Sequence, residues 1–169
     1  KDVPAGYFDN VAAYVKKNIN ASGQLDANKS TENSRVILAL TAAGFDPRNV
    51  GGYNLLNGLS DMDFIKKQGL NGPIWALIAL DSHNYSTPAG TVSNPTTREK
   101  LIETILNAQL ADGGWAYSGT VADSDMTGMA LQALAPYYKL KTNDKLTSAV
   151  DKAIAKLSTM QKDNGAYAT

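Results

Sequence analysis

Apolar residues recur along this chain at three- and four-residue spacings, in two alternating styles. In the first style they form one stripe. Phe8, Val11, Ala12, Val15 and Ile19 make one, and Leu101, Ile102, Ile105 and Leu106 another. Leu146, Val150, Ala153, Ile154, Leu157 and Met160 make a third. Such spacing buries one face of a helix and leaves the other wet. Lys16, Lys17, Glu99, Lys100, Glu103, Lys152 and Lys156 fall on the wet faces.

In the second style the helix is apolar nearly all round. Val36 to Ala43, Ile74 to Leu80 and Met129 to Ala135 are the three instances. Their alanine content and few β-branched residues favour helix over strand. A helix without a polar face is buried on most sides. The predicted order is outer 8–19, inner 33–43, a short outer piece near 60–67, inner 73–82, outer 96–109, inner 124–135 and outer 143–160. Two layers of helical hairpins satisfy this alternation, about three hairpins in all. The expected class is all-α, as a single domain over residues 1–169.

Local signals mark the ends. Ser60 before Asp61-Met62-Asp63 reads as an N-cap with acidic residues at the positive helix end. Gly44 suits a left-handed C-cap, with Pro47 beyond it. Pro73 falls in a first turn, and Pro136 ends or kinks its helix. Residues 84–94 read as a surface loop. Aligning the inner helices by sequence makes Leu38, Leu77 and Leu131 equivalent.

One turn recurs. Gln109-Leu110-Ala111-Asp112-Gly113-Gly114-Trp115-Ala116-Tyr117 has a weaker copy in Gln161-Lys162-Asp163-Asn164-Gly165-Ala166-Tyr167. A helix-ending motif that returns after roughly fifty residues marks a repeat protein. The chain stops soon after the second copy, where the first is followed by an apolar helix. It is therefore expected to be a fragment of a larger polypeptide.

Composition narrows the chemistry. Lys+Arg and Asp+Glu are both 16, and no basic cluster stands out, so nucleic acid is not an expected partner. No apolar run approaches the roughly 20 residues of a membrane span. Cysteine is absent and histidine occurs once, at His83. That removes disulfides, thiolate metal sites and multi-histidine sites. No metal and no cofactor is expected.

The turn, followed by Asp123-Ser124-Asp125-Met126-Thr127-Gly128-Met129-Ala130-Leu131-Gln132-Ala133-Leu134, resembles a prenyltransferase and squalene-cyclase type repeat. The resemblance is good over about residues 97–138, partial at 149–169 and looser over 8–82. It implies a partial α/α toroid of alternating outer and inner helices. It also extends to repeat regions of Gram-positive surface proteins, whose toroids are related to vitamin B12 carriers. It therefore implies a secreted or cell-surface location, which the lack of cysteine fits.

The resemblance also brings chemical candidates. Class II triterpene cyclases carry Asp-x-Asp-Asp-Thr-Ala at an inner helix start, where the middle carboxylic acid protonates an alkene. Asp123, Asp125 and Thr127 match that pattern, while Met126 replaces the last Asp and Gly128 the Ala. Asp125 would be the general acid and Asp123 its companion. A proton donor of this kind must be held neutral by burial or hydrogen bonding. The competing reading is capping of the helix by its acidic start. The zinc prenyltransferases of this fold need Cys and His ligands, which this chain lacks.

Trp75, Trp115 and Tyr117 are the candidates for a ligand-lining aromatic set. For Trp115 and Gln109 the competing reading is packing at the junction between repeats. The expected function is a non-catalytic binding or structural module, with a peptide, a glycan or an apolar small molecule as ligand. The alternatives are a terpenoid cyclase fragment acting through Asp125, and a cobalamin-carrier-like binding role. Exposed edges of terminal repeats would also permit a homodimer.

Overall fold

The computed structural model describes residues 3–89, 91–141 and 143–167. Those residues hold seven α-helices, two short 3-10 turns and no β-strand, with 55% of the chain helical. The all-α class read from the apolar spacing is thus the observed one. No helix among them is long and apolar enough to cross a membrane. The chain divides into two compact units, Lys1–Arg98 and Glu99–Thr169.

In the first unit, α1 spans Tyr7–Asn18 and α2 spans Thr31–Ala43. A 3-10 turn at Leu55–Leu59, the one-turn helix α3 (Met62–Ile65) and a second 3-10 turn at Lys66–Gln68 make the short middle piece. Helix α4 follows at Asn71–Asp81 and packs on α2. Val36, Ile37 and Leu40 of α2 meet an α4 buried nearly all round, at Ile74, Ala76, Leu77, Ala79 and Leu80. Helix α2 stops at Gly44, whose φ of 85° is left-handed and whose N–H reaches the Leu40 and Thr41 carbonyls. The carboxyl end of α4 is closed by Arg98. Its guanidinium donates to Asp81 Oδ1 at 2.8 Å, to the Leu80 carbonyl at 3.1 Å and to the Tyr85 carbonyl at 2.8 Å.

The hairpin from α3 to α4 depends on one small residue. A Cβ on Gly72 would lie 1.8 Å from the Ile65 carbonyl oxygen. That oxygen also accepts the Ser30 hydroxyl at 2.8 Å, which ties α3 to the start of α2.

In the second unit, α5 runs Arg98–Asn107, its first residue belonging to the preceding unit. Helices α6 (Ser124–Tyr138) and α7 (Asp144–Met160) follow and pack on each other. Met126, Ala130, Ala133 and Leu134 face inward on α6, and Leu146, Val150 and Ala153 on α7.

Four details differ from the sequence expectation. Asp61 caps α3, accepting the Asp63 N–H at 2.9 Å, while Ser60 ends the preceding 3-10 turn. Asp61 has the extended backbone that a capping residue needs, whereas Ser60 is still helical. Helix α6 runs through Pro136 to Tyr138 instead of ending there. Gln132 and Pro136 are both exposed, so the carbonyl that proline leaves without a donor is open to water. Helix α6 is also buried on one face only, with Leu131 half-buried and Ala135 exposed, as α7 packs along that face. Finally, Asn33 and Thr127 occupy the same place relative to their turns, as described below. That register pairs Leu131 with Ile37, not with Leu38.

Gly72→Ala is expected to destabilise the protein by about 3 kcal/mol or more, since main chain and not a mobile side chain blocks the new methyl. Equilibrium urea unfolding measures this, and a change below about 1 kcal/mol would contradict the packing described.

Candidate functional site

The Gln109 turn is built from short-range bonds and is tied to α7 by bonds that leave it. Leu110 N–H donates to the Gly114 carbonyl at 2.9 Å and Gly113 N–H to the Leu110 carbonyl at 3.0 Å. Gly113 has a φ of 93°, which favours glycine. The Gln109 side-chain amide donates to the Gly113 carbonyl and to the Ala149 carbonyl on α7, both at 2.7 Å. It therefore clamps the turn to α7. Close approach supports the clamp, because a Cβ on Gly113 would meet Lys152 O at 2.9 Å. Lys156 Nζ reaches Asp112 at 2.9 Å. That ammonium, with the Gly114 N–H, holds the Asp112 carboxyl below its usual range.

The chain then passes Trp115, which has no accessible surface. Its indole N–H donates to the Ile105 carbonyl at 2.8 Å, and its backbone N–H to the Thr127 hydroxyl at 3.0 Å. Thr127 is itself fully buried, and its hydroxyl reaches Asp123 O at 2.7 Å. The indole thus fills the space under the turn and offers no face to a ligand. Tyr117, two residues on, is 75% exposed. Trp75 is half-buried on α4, in the other compact unit.

The acidic start of α6 is a capping structure. Asp123 has extended backbone and accepts the Met126 N–H at 2.7 Å through Oδ1. Its Oδ2 accepts the Tyr117 N–H at 2.8 Å. Both carboxylate oxygens are therefore engaged by main chain. Asp125 lies in the first turn of α6 and is exposed. Asp123 and Asp125 are neighbours in sequence with different duties, one tying loop to helix and the other facing water.

Sequence reading overlooked the residue that does the same work in the first unit. Asn33, fully buried in the first turn of α2, donates through Nδ2 to the Gly23 carbonyl at 2.8 Å and to the Leu55 carbonyl at 2.9 Å. Its Oδ1 accepts the Leu25 N–H at 2.9 Å. The Asn20 to Leu25 segment is a third copy of the turn. Asn20 N–H donates to Gln24 O at 2.9 Å, Gly23 N–H to Asn20 O at 3.0 Å, and Gly23 has a φ of 76°. Leu25, 4% exposed, stands where Trp115 stands. A single asparagine thus combines the tasks of Gln109 and Thr127. The available signal was Gly23 followed by an apolar residue, without the Gln or Trp that made the other copies visible.

The first unit also holds a small cleft of about 160 Å³ lined by Thr41, Phe45, Asp46, Arg48, His83 and Tyr85 among others. Arg48 grips Asp46 through Nε and Nη2, at 2.9 and 2.8 Å, which with its backbone N–H lowers the Asp46 pKa to about 2. Tyr85 shares a hydrogen with Thr41 across 2.8 Å, and Arg48 lies over its ring at 5.8 Å. His83 is exposed beyond the end of α4, with its ring 5.5 Å from that of Tyr85. Asp46 and Arg48 are already paired with each other. Among the described residues no cluster of three or more His, Cys, Asp or Glu could hold a metal ion.

No protein-family model matches the chain, nor does any curated protein or any solved structure.

Two results should follow. Asp123→Ala is expected to cost about 1–2 kcal/mol in urea unfolding, and Asp125→Ala less than about 0.5 kcal/mol. Equal effects would contradict the division of labour described. For Asp112 the folded pKa is depressed, so its stabilisation is present above the unfolded value of about 4 and disappears as the pH falls through the folded one. Asp112→Asn should therefore lower Tm at pH 7 and leave it unchanged near pH 2, as thermal melts at both values would register.

Proposed function

We propose that this chain is a non-catalytic binding or structural module of a secreted or cell-surface bacterial protein, built from prenyltransferase and squalene-cyclase type repeats arranged as part of an α/α toroid. The observation that carries the reading is the state of Asp123. Both of its oxygens accept main-chain N–H groups, at 2.8 and 2.7 Å, so the carboxylate works as a structural tie. A general acid needs a retained proton and a reactant within reach. Asp125 is exposed in the first turn of α6, outside any enclosed apolar site. The indole of Trp115, which would be wanted for stabilising a carbocation, is packed inside.

The repeat reading draws on the turns. Three of them use the same backbone bonds, and each follows an outer helix. Two deliver the chain through a buried apolar residue into an inner helix. Repeats of this kind present loops and helix ends on one rim, and there the exposed Tyr117 supplies an amphipathic contact residue. A peptide, a glycan or an apolar small molecule is the ligand class that such a rim would take.

The decisive assay offers squalene and shorter linear polyprenes to the purified protein and looks for cyclised products by mass spectrometry. No product is expected from the wild type or from Asp125→Asn. Product from the wild type that disappears in Asp125→Asn would overturn the proposal in favour of a cyclase.

A further inference from the structure

The Gln161 turn repeats the bonds within the Gln109 turn and lacks the amide bond that leaves it. Lys162 N–H reaches Ala166 O and Gly165 N–H reaches Lys162 O, both at 2.8 Å. Asn164 Oδ1 takes the Ala166 N–H at 3.0 Å, as Asp112 takes that of Gly114 at 3.1 Å. The Gln161 amide donates to Gly165 O at 3.0 Å. Among the described residues no carbonyl plays the part that Ala149 O plays for Gln109 or Leu55 O for Asn33.

The surroundings are open in the same sense. A Cβ on Gly165 would find only Gln161 Nε2, at 3.9 Å, where one on Gly113 meets the backbone of α7. The preceding helix shows the matching loss of cover. Ile105 is fully buried, but its counterpart Leu157 is half-buried. Ile102 is half-buried, but its counterpart Ile154 is 50% exposed. Tyr167 is 39% exposed where Trp115 is fully enclosed.

We infer that the Gln161 turn and the Ile154–Leu157 face of α7 form a docking site for one amphipathic α-helix, seated as α7 itself sits on the Gln109 turn. The two completed junctions of this chain describe the occupant. It brings a small residue against Gly165, as Ala149 and Lys152 main chain come against Gly113. The small side chain leaves a mid-helix carbonyl open to a second donor, and carbonyl oxygens have the spare lone pair to accept it. Its apolar stripe covers Ile154 and Leu157, which supplies the driving force. Where α7 offers Lys156 to Asp112, the occupant meets neutral Asn164, so its residue there is uncharged. This deepens the scaffold reading, on which it rests, by naming the class of partner.

The probe is a peptide of residues 143–160 carrying Lys156→Gln, held helical by a staple on the face away from Ala149. Circular dichroism first establishes its helicity. Titrated into the isotopically labelled chain, it is expected to shift the Gln161 side-chain amide and the Gly165 amide saturably. Gln161→Glu keeps the side chain's shape and removes the donor, and Ile154→Asp spoils the apolar face; each should weaken binding about tenfold or more. Absence of saturable shifts with a helical peptide overturns the inference, as does binding indifferent to both substitutions. Self-association of the chain alone that Ile154→Asp abolishes also overturns it, because a second copy would then be the occupant. None of these outcomes bears on cyclase turnover, so failure here is separable from failure of the scaffold reading.

Discussion

The structure depends on how a helical hairpin with a sharp, glycine-containing turn attaches to the element that comes after it. The glycine carbonyl in that turn points away from its own helix, and the chain must satisfy it. In the Asn20 and Gln109 turns a side-chain amide does so, and the same nitrogen reaches a second carbonyl on another element. Gln109 does this from the end of α5, and Asn33 does it from the first turn of α2. One polar group with two hydrogens thus joins three pieces of backbone. Removing it leaves two carbonyls short of a donor, the asymmetric penalty that makes buried polar ties consequential.

The clamp also sets what surrounds it. Because two main-chain segments approach within reach of one amide, the residue between them cannot carry a side chain, and glycine stands at Gly23 and Gly113. Because the turn diverts the chain over the helix end, an apolar residue must fill the hollow beneath it. Leu25 and Trp115 do so, and the indole adds a bond to the Ile105 carbonyl. The acidic start of α6 belongs to the same assembly, with Asp123 binding the loop at Tyr117 and the helix at Met126.

Much of this was legible in the chain. Helix class and order follow from apolar spacing because each helix buries a face, and burial imposes a period. The Gln109 turn was visible because its glutamine, glycines and tryptophan lie within a few residues. Asn33 was not, since its partners at Gly23 and Leu55 are distant in sequence and an asparagine in a helix has no local signature. The Leu38 register misled for a similar reason. Apolar residues in a nearly all-apolar helix align equally well one position apart, and only the polar seal at Asn33 and Thr127 decides between them. The cleft at Asp46, Arg48, His83 and Tyr85 was hidden too, because two loops assemble it.

The seals at Leu25 to Asn33 and at Trp115 to Thr127 join their segments by the same kind of bond across eight and twelve residues. Each seal fixes the two ends of the segment between turn and inner helix, whatever the segment contains. The entropy of closing such a segment rises only slowly with its length. Insertions there should therefore disturb neither helix, and the longer segment already carries Tyr117 and Val121 on its surface, 75% and 78% exposed. The architecture thus separates a rigid frame from a tethered, length-tolerant surface, where new recognition can be acquired without refolding the domain.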